Sequence, residues 1–331
     1  MNKLERTYFG KNVLITGGLG FLGTSLSHRL VELGAGITLA DACLPQYGSN
    51  PFNLEGIEEG VKLNVNDVRD ESAMNHLVRN QDFIFHFAGQ VAHNESLENP
   101  FLDLDINCKG TLTLLEACRK NNPDAKLFFS GSRMQYGKTE KLPVDEGHPL
   151  RPKSPYGVHK AAAEEYFSYY NREQGLKTTS FRITNPYGPR SQMKHSKYGM
   201  VNWFIRQAMD GNPIKVFGEG KQIRDYIYVD DLVEAFLMTG IGEETDGEIF
   251  NAGSGIPVEF VEMAKTIVDV VGNGTVEYTE WPADYKNIET GDFYADISKI
   301  RSMTGWQPKN TLEEGIRKTF EFYTKNKKHY W

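Results

Sequence analysis

Short apolar runs alternate with longer amphipathic stretches through the first half of the chain. The runs lie at Val13–Thr16, Ile37–Ala40, Val61–Val65, Phe83–Phe87 and Leu127–Ser130, and apolar residues recur at helical spacing over Phe21–Leu33, Phe101–Lys120 and Tyr156–Glu173. A short apolar run bounded by turns reads as a strand covered on both faces, and a three-to-four-residue period reads as a helix with one apolar side. Their alternation predicts parallel strands joined by right-handed helical crossovers. After Thr179–Ile183 the pattern loosens. Residues 186–225 are rich in Gly, Pro, Lys and Arg around one helix near Val201–Met209. A helix after Asp230, a strand near Glu248–Asn251 and helices at Val258–Val271 and Leu312–Tyr323 follow. The expectation is an α/β protein: a doubly wound parallel sheet with a smaller C-terminal α/β lobe. Residues 1–185 should form the first lobe, with 226–253 returning to it, and 186–225 with 254–331 the second.

The first strand runs straight into Gly17-Gly-Leu-Gly-Phe-Leu-Gly23. Gly18, Gly20 and Gly23 satisfy G-x-G-x-x-G, and Gly17 permits the alternative G-x-x-G-x-x-G. Such glycines allow a tight turn, close backbone approach to a pyrophosphate and close helix–strand packing, and the following helix offers unpaired N–H groups to the phosphates. A glycine cluster alone is weak evidence, but here the second strand ends in Asp41, about 20 residues on, where an acid should bind a ribose 2′-hydroxyl. That carboxylate would repel a 2′-phosphate, so NAD is expected over NADP. The first lobe is then of Rossmann type, with Gly17, Gly20, Phe21, Leu22, Gly23 and Asp41 holding the cofactor. Asp67 and Val68 follow the third strand, where loops line the ligand crevice. Asp67 is placed to bond an adenine amino group or to cap a helix over Arg69–Val78. In His86-Phe-Ala-Gly89, Phe87, Ala88 and Gly89 should let the cofactor ribose approach the backbone.

Composition narrows the partners. Hydrophobic residues at 39% and charged residues at 24% of 331 are ordinary for a globular protein. A formal net charge of −7 with no long basic run argues against nucleic-acid binding. The N-terminus has no apolar signal core and no stretch approaches the roughly 18 apolar residues of a membrane span, so no membrane partner is expected. Three cysteines, Cys43, Cys108 and Cys118, lack metal-ligand spacing and suit a reduced compartment. The expected location is the cytoplasm, and no metal is expected.

Three polar residues fall where strand ends or helix starts meet the crevice. Ser132 follows the fifth strand, and Tyr156 and Lys160 open the next helix one turn apart on one face. A tyrosine near its reference pKa of about 10 is a poor base at neutral pH. A neighbouring ammonium and a nicotinamide cation would lower that pKa, and Ser132 would bond the same substrate hydroxyl. Each residue alone reads as surface or turn; in this order behind a dinucleotide fingerprint they read as a catalytic set.

With Thr16-Gly-Gly-Leu-Gly-Phe-Leu-Gly23, Asp41, Asp67-Val68, His86-Phe-Ala-Gly89, Ser132, Tyr156-x-x-x-Lys160, Asn185-Pro-Tyr-Gly-Pro-Arg190 and Arg224-Asp-Tyr-Ile-Tyr-Val-Asp-Asp231 in place, nearly the whole chain resembles the extended short-chain dehydrogenase/reductases. Within them it resembles the NAD-dependent nucleotide-sugar epimerase/dehydratase family. The resemblance implies that Tyr156 is the acid/base and that Lys160 holds the nicotinamide ribose. It implies that Asn185 and Arg224 contact the diphosphate of the substrate, with Val216 and Phe217 near the nucleobase. Arg224 could instead sit in a surface ion pair with Asp225 or Asp230.

The resemblance also sorts the chemistry. Family 4,6-dehydratases carry an Asp-Glu pair after the Ser/Thr; here Arg133 and Met134 stand there, and neither transfers a proton at neutral pH. Related decarboxylases keep a Glu where Met134 sits, and the 3,5-epimerases need a Cys/Lys pair that no cysteine segment here matches. What remains is an isomerase that epimerises C4 by lending a hydride to NAD and recovering it. Alternatives are a C2 epimerase of a CDP-sugar, which Ala88-Gly-Gln-Val-Ala92 resembles, a nucleotide 4-keto-sugar reductase, and a non-catalytic NAD-sensing regulator. Arg133 beside the sugar pocket points to an acidic or otherwise decorated sugar, unless it pairs with a carbonyl or an acid. Where the family often has an arginine before a Gly-Asp, Glu289 precedes Thr290-Gly-Asp292, so that grip is either missing or supplied by Lys286 or Arg190. His93 could contact substrate, though a lone histidine there is more often structural. The equivalent helices of the family form an intermolecular four-helix bundle, so a homodimer is expected from the apolar surplus on Phe101–Lys120 and Tyr156–Tyr170.

Overall fold

Seven strands form one parallel sheet in the computed structural model, which describes residues 1–281 and 289–331. They are β1 (Asn12–Thr16), β2 (Gly36–Asp41), β3 (Val61–Val65), β4 (Phe83–His86), β5 (Lys126–Ser132), β6 (Lys177–Ile183) and β7 (Ile249–Ala252). Their order is β7-β6-β5-β4-β1-β2-β3, with every neighbouring pair parallel. The chain winds outward from β1 in one direction through β2 and β3, then in the other from β4 onward. The reversal leaves a crevice beyond the carboxyl ends of β1 and β4, the usual ligand position in such sheets.

Strand alternation splits the apolar residues between two cores. Val13, Ile15, Phe85, Phe128, Phe181 and Phe250 face one side, where the helix Val229–Thr239 brings Phe236. Leu14, Ile84, Leu127 and Phe129 face the other, under Leu114 and Phe167 of the helices Gly110–Asn121 and Pro155–Gln174. The edge strand β3 differs: Leu63 and Val65 are exposed. A third core lies in the C-terminal half, where Pro213–Phe217 pairs in parallel with Thr275–Thr279. The helices Met200–Met209, Phe260–Val271 and Leu312–Asn326 cover it. Phe293, Ala295, Ile297, Ile300 and Trp306 pack into the first core instead. Asp225 binds these pieces together: its buried carboxylate accepts the N–H groups of Ser254, Gly255 and Ala295 at 2.7–3.1 Å.

Local chemistry moved some boundaries. The helix expected over 101–120 is three pieces: Pro100–Leu104, a π-helical turn at Asp105–Lys109, and Gly110–Asn121. At Gly110 a Cβ would lie 2.6 Å from Val68 Cγ1, so only glycine lets this helix approach the loop after β3 so closely. The helix expected over Arg69–Val78 is Glu71–Leu77, and its cap is Asp70, which accepts the Ala73 N–H at 3.0 Å. Asp67 stands too far upstream to cap it and is paired with Arg69 at 2.7 Å instead. Three short helices were not anticipated: Lys3–Tyr8, closed by an Asn2/Glu5 capping box, His93–Glu98 and Ser298–Thr304.

Candidate active site

The turn after β1 is shaped by what its glycines exclude. Gly17 has φ +70°, and a Cβ there would meet Ala88 N at 2.7 Å. At Gly23 a Cβ would lie 2.3 Å from the Gly17 carbonyl oxygen, and at Gly18 it would strike Leu39 at 2.6 Å. The turn therefore nests between β2 and β4 while the helix Phe21–Glu32 starts at Gly20 with no side chain capping its first N–H groups. Asp41 is held in the crevice by two backbone donors, Leu19 N–H at 2.9 Å and Cys43 N–H at 2.8 Å. Gly17, Gly20, Phe21, Leu22, Gly23, Asp41, Asp67, Val68, Phe87, Ala88 and Gly89 all line one cleft of about 670 Å³. Gly18 does not line it. The Asp67 carboxyl is held below its ordinary range by the hydrogen bond from Arg69.

Ser132, Tyr156 and Lys160 line the same cleft. Ser132 ends β5 and its backbone N–H donates to Gln135 Oε1 at 2.7 Å, while its hydroxyl accepts from Met134 N–H at 3.2 Å. Pro155 in the first turn and Ser154 as cap start the helix that carries Tyr156 and Lys160. A Cβ at Gly157 would lie 2.7 Å from the Met134 carbonyl, so glycine lets this helix end close against the Ser132 turn. The protein's own groups do not lower the Tyr156 pKa as expected. Burial pushes it up to about 12, Ser132 hydrogen bonding opposes this, and the Asp103 carboxylate reinforces it. The Lys160 ammonium donates to the Ser130 carbonyl at 2.9 Å. Burial pulls Lys160 down to about 8 against the opposing pull of Asp103. His86, between the hydroxyls of Thr16 at 2.8 Å and Thr111 at 2.9 Å, is pushed by burial to about 3 and stays neutral.

At the other end of the cleft, Arg224 is not a surface residue. It is buried and donates to Glu289 at 2.6 Å and to the Gly291 carbonyl at 3.0 Å, so its acid partner is Glu289 and not the alternative Asp225 or Asp230. Arg133 lies on the same wall, with Nη1 donating to Thr290 Oγ1 at 3.2 Å. Asn185 and Phe217 line the cleft, but Val216 is buried in the third core. The strand period of two explains this: Lys215 and Phe217 face the cleft and Val216 faces away. Arg190 does not line the cleft; its guanidinium lies 5.6 Å over the Phe322 ring. Lys286 lies outside the described residues.

The family model described as the NAD dependent epimerase/dehydratase family matches residues 13–253, which contain the glycine turn, Ser132, Tyr156 and Lys160. The chain belongs to that family. Individual relatives in the epimerase/dehydratase family align over most of the chain. A protein of Methanocaldococcus jannaschii described as a putative UDP-glucose 4-epimerase is 32% identical, over 95% of this chain and 99% of its own. The UDP-glucose 4-epimerase of Thermotoga maritima, solved with UDP-glucose, is 31% identical with a TM-score of 0.86, covering 95% of this chain and 99% of its own. That of Thermus thermophilus, solved with NAD, is 30% identical with a TM-score of 0.84 over 95% and 99%. NAD is the cofactor of this chain, and the cradle fits it: bare glycine backbone, an uncapped helix start and an anchored acid.

Three features of the epimerase/dehydratase site were missed in the sequence. Asn107 lies in the π-helical turn, donates to the Gln90 carbonyl at 3.0 Å, and has a buried Oδ1 with no partner among the described residues. A Cβ at Gly89 would lie 2.8 Å from that oxygen and 3.3 Å from Lys160 Nζ, so the three meet under the cofactor cradle. Single π-helical turns often mark functional positions, but no local sequence pattern announces one. Next, Gln135 ties Ser132 to the buried Glu164–Arg182 pair by donating to Glu164 at 2.8 Å. Last, Trp281 stands 5.4 Å from Phe217, adding a second aromatic ring at that end of the cleft.

Proposed function

We propose that the protein is a nucleotide-sugar C4 epimerase. The observation that carries this reading is the wall around Ser132 and Tyr156, where Arg133 and Met134 stand in place of the acid pair a dehydratase needs. Among the described residues of the cleft, the carboxylates are Asp41 and Asp67 at the cofactor end and Glu289, which is committed to Arg224. No acid is left to remove water from the sugar. Tyr156 and Ser132 are suited to one task, moving the proton of a single sugar hydroxyl. When bound, NAD supplies a reversible hydride acceptor. Burial keeps Tyr156 protonated in the cofactor-free protein, so its service as base would rest on the cationic nicotinamide ring lowering its pKa, and the same phenol would return the proton in the reverse half of a redox-neutral cycle. Lys160 would hold the nicotinamide ribose and Asn107 its neighbourhood, while Arg224 and Asn185 receive the diphosphate and Phe217 with Trp281 the base. The relatives described as UDP-glucose 4-epimerases support the same reaction and make UDP-sugars the first substrates to try.

The test is proton NMR of UDP-glucose and other nucleotide sugars incubated in D₂O with the protein and no added cofactor. Interconversion of C4 epimers without deuterium at C4 is expected, because the hydride never exchanges with solvent. Tyr156→Phe should slow it by about 10²–10⁴-fold. Deuterium at the inverted carbon, or turnover of keto sugars alone with added NADH, would overturn the reading.

A further inference from the structure

We propose that the sugar accepted by this cleft carries an anionic substituent, such as a carboxylate, that Arg133 and His93 bind beside the reacting carbon. The inference rests on the nucleotide-sugar reading and adds the class of sugar.

Buried guanidinium groups are almost always paired. Arg182 meets Glu164 at 2.6 Å and Arg224 meets Glu289 at 2.6 Å. Arg133, half-buried on the cleft wall, differs from both. Among the described residues no carboxylate comes within 4.0 Å of it, and one neutral hydroxyl, Thr290 Oγ1, accepts from it at 3.2 Å. Phe293 supports the guanidinium from 5.5 Å without neutralising it. Burial, and then repulsion from Arg224, pulls its pKa down to about 10, which still leaves it charged at neutral pH. The acid that acts most strongly to hold its proton, Glu289, is already shared with Arg224.

His93 lines the same wall, and its ring makes no hydrogen bond among the described residues. Burial and the charge of Arg133 lower its pKa and keep it a neutral donor. Among the described residues the site thus offers a planar fork of donors met by one neutral hydroxyl and an imidazole N–H with no acceptor, a combination suited to a carboxylate. Its position favours the sugar over the nucleotide. Arg133 follows Ser132 directly in the chain, whereas the aromatic pair Phe217 and Trp281 marks the base end.

A diphosphate oxygen offers the same chemistry, so the experiment separates the two sources. Binding of UDP, UDP-glucose and UDP-glucuronate to the NAD-containing protein is measured by calorimetry for wild type, Arg133→Met and Arg133→Lys. We expect wild type to prefer UDP-glucuronate over UDP-glucose by about tenfold, as a charge-assisted fork would give. Arg133→Met should bring the ratio of the two Kd values to within about twofold, and Arg133→Lys should keep part of the preference. Thermal melts check folding, and the Lys variant decides if the Met variant is unstable. Equal wild-type affinities overturn the proposal. So does a loss in Arg133→Met that is the same for UDP and both sugars, which would assign Arg133 to the diphosphate. NMR turnover run in parallel keeps the two readings apart. A preference without interconversion sinks the epimerase and keeps the anion site; interconversion without preference does the reverse.

Discussion

Replacing Arg182 with Met should make the protein far easier to unfold, and removing its partner Glu164 as well should restore stability but not activity. Arg182 donates Nε and Nη2 to Glu164 at 2.6–3.2 Å and Nη1 to the Glu146 carbonyl at 2.9 Å, with the two side chains of the pair 5% and 4% exposed. Met keeps most of the volume but leaves the Glu164 carboxylate buried without its cation. Breaking one side of such a pair costs about 3–5 kcal/mol, and the stranded Glu146 carbonyl adds about 1 kcal/mol. Against a typical total stability of about 5–15 kcal/mol, about a quarter or more is lost. Urea unfolding should show a lower midpoint at unchanged slope. The double variant Arg182→Met/Glu164→Leu removes both charges and should recover most of the loss, since apolar replacement of a buried pair is often neutral. Activity should not recover with it. Glu164 is the acceptor for Gln135, which holds the Ser132 N–H at 2.7 Å. The double variant should therefore be stable and about tenfold slower, roughly 1.4 kcal/mol of barrier. A single-variant loss under about 1 kcal/mol, or a double variant no more stable than the single, would refute the reasoning.

Gly23→Ala would force a Cβ to 2.3 Å from the Gly17 carbonyl oxygen; NAD affinity in a fluorescence titration should fall by about tenfold or more, and an unchanged Kd would contradict the role given to the turn. The folded Lys160 pKa of about 8 lies below its ordinary 10.5, so between those values the unfolded chain holds the extra proton. Nucleotide-stripped wild type should therefore gain stability as pH rises from about 8 to about 10 relative to Lys160→Met; parallel pH profiles would count against the buried ammonium. Phe101 is 78% exposed among Leu97, Leu104, Val158, Tyr166 and Tyr169 on adjoining helices. A homodimer through this face should sediment as such in wild type and as monomer in Phe101→Glu, and a monomeric wild type at all concentrations would dismiss it.

The parts legible in the sequence are those whose chemistry is local. A strand, a glycine turn and Asp41 must sit together because few residues separate them, and the apolar runs name the sheet because parallel strands are buried on both faces. Ser132, Tyr156 and Lys160 could be placed in the crevice by their strand and helix positions alone. What escaped depends on distant partners. Nothing near Arg224 announces Glu289, 65 residues on. The sign of the Tyr156 shift depends on burial and on Asp103, neither of which its own helix reveals. Val216 was a failure of a different kind: alternation within Pro213–Phe217 would have pointed Lys215 and Phe217 to one side and Val216 to the other.

The path of the chain between its cores limits how the cleft can move. Core residues of the sheet come from 4–183, 227–252 and 293–306, and those of the third core from 187–228, 260–276 and 316–330; the two sets meet in the strand Tyr226–Tyr228. Taken in order, these segments alternate, so the backbone passes between the two halves five times. Lobes tethered by one or two strands can swing about a hinge formed by a few residues. Five separate tethers would have to bend together, and the Asp225 carboxylate ties two of the crossings, at Thr184 and Ser254, to Ala295. The cleft walls are therefore close to a fixed frame, and under the epimerase function proposed above a sugar showing both faces to one reactive centre would have to rotate inside it rather than wait for the frame to open. The same tethering predicts a single cooperative melt and no stable half left by limited proteolysis.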